Sequence, residues 1–159
     1  MAKTTEKKAY ILKVALTGDE GIWRRIAIRG NHTLGKLHEA IFKAFDRYDC
    51  HLYSFYFPQP GSRGRARRRD ALEYTHPFVL EDDPFAGEDA HNAEKTKIDS
   101  LGLIKGQSFD YLFDFGDSWE HVITVEATEA PAEKGRYPHI LEKHGESPPQ
   151  YPEPEEDEE

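Results

Sequence analysis

The 159-residue chain has the length of one domain, with 37% hydrophobic and 32% charged residues and a net charge of −9. No apolar run approaches the roughly 20 residues that span a bilayer. Cys50, the single cysteine, excludes an internal disulfide and a multi-cysteine zinc site.

Residues 9–29 read as a β-hairpin. Tyr10, Leu12, Val14 and Leu16 alternate with Ile11, Lys13 and Ala15, and Thr17-Gly-Asp-Glu-Gly21 supplies the turn. The return strand places Ile22, Ile26 and Ile28 on one face, interrupted by Arg24, with Trp23, Arg25, Ala27 and Arg29 on the other. A helix follows. Thr33 is suited to cap it, and Leu34, Leu37, Ile41, Ala44 and Phe45 recur at helical spacing, with His38 bordering the stripe. Residues 51–57 are an aromatic strand with Tyr53, Phe55 and Phe57 on one side. Residues 58–95, rich in Pro and Gly, read as a long loop with room for short structure near Ala71 to Tyr74 or Phe78 to Leu80. A second hairpin spans residues 108–125. Phe109, Tyr111 and Phe113 share one face of its first strand, Gly116-Asp-Ser118 turns, and Trp119, His121, Ile123 and Val125 share one face of its second. In the last stretch Tyr137-Pro-His-Ile-Leu141 is expected to dock. The 9 Phe, 8 Tyr and 2 Trp make a core affordable in so polar a chain. The expected fold class is α+β: a single domain, residues 1–152, with an antiparallel sheet built from hairpins and one main helix packed on one face.

Charge is unevenly placed. Residues 153–159 hold six acids and no base, and the preceding 152 residues carry only −3. These last residues read as a disordered acidic tail. Arg63, Arg65, Arg67, Arg68 and Arg69 form a basic island in the long loop. The start of the chain has no apolar stretch of signal-peptide length, and the lone cysteine suits a reducing cytoplasm.

Several runs stand in a characteristic order: Tyr10-Ile-Leu-Lys-Val14, Ile22-Trp-Arg-Arg25, Leu37-His-Glu-Ala-Ile41, Ala44-Phe45, His51-Leu52 and Tyr111-Leu-Phe-Asp-Phe-Gly-Asp-Ser-Trp-Glu-His121. Together they resemble the Ri-plasmid ORF-three-like (pRiA-type) family, over about residues 9–152. Some transposon-borne members of that family carry a resolvase label, TnpR. The resemblance implies an α+β fold and a mobile-element context, and it implies no reaction. A serine recombinase would need a nucleophilic serine framed by arginines and a helix-turn-helix, and neither is present. Many relatives end in a Cys-Pro-Pro-Glu-Asp-like segment. Here the matching stretch, Gly145-Glu-Ser-Pro-Pro-Gln-Tyr151, has no cysteine.

Four groups of residues carry chemistry. Asp114, Asp117, Glu120 and His121, with His51 as a distant partner, suit a divalent metal or acid–base work at a hairpin tip. Equally, Asp114 and Asp117 suit a turn in which carboxylates accept from backbone amides. Arg24 or Arg25 suits pairing with Asp114 or Asp117, or clamping an anion, with Trp23 and Trp119 as an aromatic wall. The alternative is structural packing. His38 and His51 are each a ligand group or a histidine satisfied by one hydrogen bond. The arginine island is a phosphate-contacting surface or a solvated loop.

The leading expectation is a binding or accessory protein, associated with mobile elements. It would take a protein or a small anion between the two hairpins, through Trp23, Arg24, Arg25, His38, His51, Asp114, Asp117, Trp119 and His121. The sequence names no cofactor and leaves it open; a divalent metal is chemically allowed but not expected. The second expectation is a metal-dependent hydrolase or nuclease-like enzyme using a divalent metal on Asp114, Asp117 and His121. The third is weak nucleic-acid binding through Arg63 to Arg69.

Overall fold

A computed structural model of the chain describes residues 8–82, 90–131 and 135–151. In chain order the elements are β1 (Lys8–Leu16), β2 (Asp19–Arg29), α1 (Leu34–Ala44) and β3 (Tyr53–Phe57). Then come α2 (Arg65–Arg69), β4 (Leu72–Thr75), α3 (Pro77–Asp82) and β5 (Ala90–Asn92). Two 3₁₀ turns, Ala93–Lys95 and Ile98–Leu101, lead to β6 (Ser108–Phe113), β7 (Trp119–Pro131) and β8 (His139–His144). The strands form one eight-stranded sheet in the order β5-β4-β3-β6-β7-β1-β2-β8. Every neighbouring pair is antiparallel except β4 and β5, which run parallel. The class is α+β.

Strand alternation decides which residues meet. Leu12, Val14 and Leu16 of β1 lie opposite Val125, Ile123 and His121 of β7, so this face of the sheet is continuous across the two hairpins. Phe109, Tyr111 and Phe113 of β6 extend it, followed by Tyr53 and Phe55 of β3. Thr33 caps α1, its hydroxyl accepting from the Lys36 amide at 3.2 Å. The helix lays Leu34, Leu37, Ile41 and Ala44 on that apolar face, and all four are buried in one core with the strands. The β1–β2 connection is tighter than Thr17 to Gly21. Only Thr17 and Gly18 separate the strands, and Gly18 takes a φ of +87° that suits a residue without a Cβ.

The stretch 58–95 departs from a plain loop. It holds α2, β4, α3 and β5, which continue the sheet past β3. Two arginines of the island fix α2 to the second sheet face. The Arg67 guanidinium donates to both carboxylate oxygens of Asp110, at 3.1 and 2.8 Å, and Arg68 donates to Glu120 at 3.2 Å while covering the Tyr56 ring. Near the other end, residues 139–144 form a strand paired with β2, where docking without a defined form was expected. The acidic tail at 153–159 lies outside the described residues.

Candidate functional site

The first site-forming event is local. The β6–β7 connection passes through Asp114 and Ser118, both with positive φ (68° and 56°). The Asp114 carboxylate holds this turn by accepting from the amides of Gly116 and Asp117 at 3.2 and 3.3 Å. Its own backbone accepts from the Ser118 amide and donates to Leu52 O. Asp114 is therefore buried as the keystone of the tip. Its outer oxygen lies 3.5 Å from His51 Nε2.

The same His51 nitrogen bonds the Tyr151 hydroxyl at 2.6 Å, and that hydroxyl donates to the Asp49 carboxylate at 2.9 Å. Asp114 and Tyr151 thus share one imidazole nitrogen. A proton relay would need them on opposite nitrogens, so this is not an Asp–His–Tyr triad. Desolvation and the bond to Asp49, with Asp114 and Asp117 nearby, push the Tyr151 phenol up to about 12, so it stays a hydroxyl. Tyr151 is held there by a strap formed from the end of the described chain. The Gln150 amide, 2% exposed, accepts from the Tyr48 and Asp49 amides and donates to Asp49 O, and Ser147 Oγ donates to Phe45 O.

His121 sits beneath the tip and not in it. It is fully buried, with Nδ1 toward Tyr111 O at 3.2 Å and Nε2 toward an Arg47 guanidinium nitrogen at 3.0 Å. Burial first, and then the Arg47 charge, lower its pKa to about 3. The neutral ring therefore donates through Nδ1 and accepts from Arg47 through Nε2. His38 is half-buried and also neutral, its pKa lowered to about 3 by desolvation first and then by its neighbours His76 and Arg47. It stacks on Tyr53 at 3.9 Å and bonds the Tyr111 hydroxyl through Nδ1 at 2.7 Å. Both imidazoles belong to the core.

Asp114, Asp117 and His121 consequently do not converge. Among the described residues no three His, Cys, Asp or Glu side chains gather in a way that could hold a metal ion. The pairing of Arg24 or Arg25 with Asp114 or Asp117 is also absent. Arg24, 2% exposed, points into the core, where its Nε donates to Ala44 O at 2.8 Å and its Nη1 to Trp23 O, His144 O and Gly145 O. Arg25 lies on the opposite sheet face between Glu126 and Glu142. Trp23 shares that face, stacked on His144 at 5.1 Å with Lys13 and Arg25 over its ring. Trp23 and Trp119 thus lie on different faces and form no common wall.

Arg47, like the cleft residues Asp19 and Tyr151, was missed by sequence reasoning. It is 7% exposed and has no carboxylate partner among the described residues. Three rings surround its guanidinium instead: Phe45, Phe113 and Trp119, at 5.1, 5.2 and 5.1 Å. Burial lowers its pKa to about 10, which leaves it charged at neutral pH. Its polarity hid it, because the helical apolar stripe ends at Phe45 and the rings around it come from three separate segments.

The hairpins do meet. β1 and β7 are hydrogen-bonded neighbours, and the Thr17 amide donates to Glu120 O at 2.9 Å. Between the β1–β2 turn, the start of β7 and the strap lies an open cleft of about 800 Å³. Its walls include Leu16, Trp119 and Tyr151, and its charged side chains are Asp19, Asp117 and Glu120. No Lys, Arg or His lines it. Of the residues expected at the site, Asp117 and Trp119 line this cleft; Asp114 and His51 brace its rim; Trp23, Arg24, Arg25, His38 and His121 do not reach it. In the arginine island, Arg63, Arg65 and Arg69 are exposed, whereas Arg67 and Arg68 are paired with sheet carboxylates.

Against known proteins, the model of the Plasmid pRiA4b ORF-3-like protein family matches residues 8–151. The chain is 35% identical over 141 residues to the uncharacterized protein y4hQ of Sinorhizobium fredii (strain NBRC 101917 / NGR234), a match that takes in 87% of this chain and 63% of that protein. It thus spans less than two thirds of that relative's length. The fold is similar to the crystal structure of MM3350, a protein of unknown function from Methanosarcina mazei Go1. The TM-score is 0.70 at 25% identity, covering 92% of this chain and 74% of that one. No helix among the described residues is long and apolar enough to cross a membrane.

Proposed function

The chain belongs to the plasmid pRiA4b ORF-3-like family, and we propose that it is a non-catalytic binding protein whose partner enters the cleft between the two hairpin tips. The observation that carries this reading is the lining: two aromatic side chains, Trp119 and Tyr151, beside Asp19, Asp117 and Glu120, with no basic side chain. A surface of this kind favours a positively charged group with some apolar area, for which the rings supply contact and the carboxylates supply charge. It disfavours a small anion, whose expected clamp, Arg24 and Arg25, lies elsewhere. Glu120 is partly neutralised by Arg68, so Asp19 and Asp117 are the stronger recognition charges.

A cytoplasmic, mobile-element setting fits this reading. The single exposed Cys50 suits a reducing compartment, and the family takes its name from a plasmid. Calorimetric titration with short peptides tests the binding role. Peptides carrying Lys or Arg should bind, with affinity falling as salt rises, and peptides with Glu at the same positions should not. Asp19→Asn with Asp117→Asn should weaken binding about tenfold or more without moving Tm, because both side chains are exposed. Equal binding of acidic and basic peptides, or an unchanged affinity in the double variant, would overturn the proposal.

A further inference from the structure

We propose that a second cleft, between α1 and the segment leading into β8, binds a small phosphate-bearing molecule. It stands on different residues from the hairpin-tip cleft and is independent of that reading.

The helix creates it. Lys36, Ala40 and Lys43 stand at i, i+4 and i+7, on one side of α1. The two lysines are about 10 Å apart along the axis, at roughly 1.5 Å per residue. The small side chain between them leaves a hollow. Arg136, Pro138 and Ile140 of the segment leading into and opening β8 line the hollow with them. The result is a cleft of about 380 Å³, at the lower end of the size range of small-molecule sites.

Its charge is the reverse of the first cleft. Glu39, the lining's one carboxylate, lies 3.4 Å from Lys36 Nζ. Lys43 and Arg136 make no ion pair among the described residues. Lys36, Lys43 and Arg136 against Glu39 give the lining's Lys, Arg and Glu side chains a net charge of +2. That matches a phosphate monoester, which carries about −1.5 to −2 at neutral pH. An arginine fork and a lysine point charge are complementary to phosphate oxygens, and the Ala40, Ile140 and Pro138 floor calls for an apolar body on the ester. A bare inorganic ion would leave that floor uncovered.

The test is titration of the protein in phosphate-free, low-salt buffer with phenyl phosphate, inorganic phosphate and benzoate, followed by the amide NMR signals of Ala40 and Ile140. Phenyl phosphate should saturate these shifts and bind more tightly than either of the other two. Lys43→Gln with Arg136→Gln, both exposed positions, should weaken it about tenfold or more with Tm unchanged, whereas Asp19→Asn with Asp117→Asn should leave it alone. The assignment falls if binding does not saturate, if benzoate binds as well, or if the Lys43/Arg136 variant retains full affinity. A phosphoserine peptide that bound more tightly than phenyl phosphate would overturn the small-molecule part of it.

Discussion

Arg24 and Arg47 flank the Phe45 ring at 4.8 and 5.1 Å, and neither has a carboxylate within ion-pair distance among the described residues. Their charges are accommodated differently. Arg24 sits at the negative end of α1 and donates to its last carbonyl, Ala44 O, and to three more. Arg47 relies on π-faces and on a neutral imidazole. The neutrality of His121 and His38 has a consequence for stability. Each has a folded pKa near 3 against about 6.5 unfolded, so the unfolded chain binds more protons between these values. Stability is full above about pH 6.5 and falls as pH drops toward 3, by roughly 1.4 kcal/mol per pH unit for each histidine. Carboxylates titrate in the lower part of this window too, so a comparison is needed. His38→Phe keeps the stack on Tyr53 and loses the bond to Tyr111. It should be less stable at pH 7 by about 1–3 kcal/mol. Its stability in urea should nevertheless decline less steeply from pH 6 to pH 4, by one histidine's share. An identical slope would mean that His38 is protonated in the folded protein.

Among the elements, the strap at residues 147–151 supplies one wall of the hairpin-tip cleft through Pro148, Gln150 and Tyr151. Three hydrogen bonds from one buried amide, Gln150, fasten it to the chain after α1. Gln150→Ala strands the Tyr48 and Asp49 amides and Asp49 O. It should cost about 2–3 kcal/mol if water repairs part of the loss. Because Tyr151 would lose its anchor, basic-peptide binding should weaken in the same variant. A variant destabilised to that extent with unaltered peptide affinity would separate the strap from the cleft. The strap, like β5 and the strand form of β8, was not legible in the sequence, whereas β4 and α3 fall where short structure was expected, near Ala71 to Tyr74 and Phe78 to Leu80. Period-two alternation of apolar and aromatic side chains identified β1, β2, β3, β6 and β7, and a capping threonine with a helical stripe located α1. β8 is exposed apart from half-buried Ile140, and only Ile140 and Leu141 are apolar, so no period marks it. Gln150 is polar and buried through backbone bonds to residues a hundred positions earlier, which no local pattern encodes. At the site, Asp117 and Trp119 were legible from the hairpin motif. Asp19 and Tyr151 were not, because Asp19 is brought there by the pairing of β1 with β7 and Tyr151 by the strap's bonds to Asp49 and His51.

At the scale of the whole molecule, charge decides between the remaining uses of the arginine island. Pairing with Asp110 and Glu120 makes Arg67 and Arg68 part of the contact that holds α2 against the sheet. Only Arg63, Arg65 and Arg69 face outward, Arg69 beside Asp70, on a chain of net charge −9. A duplex contacted by three arginines would show log K falling with log salt at a slope of about −2.7, and by five at about −4.5. Three phosphate contacts against a repulsive net charge should leave no measurable affinity at 150 mM salt, roughly the physiological level. Fluorescence anisotropy of a labelled 20-base-pair duplex from 20 to 150 mM salt measures both quantities. A slope near that of five contacts would require the Arg67–Asp110 and Arg68–Glu120 pairs to open. In that case Asp110→Asn, which frees Arg67 in advance, should strengthen binding. If binding is absent throughout and Asp110→Asn only destabilises the fold, the island is a structural clasp for α2.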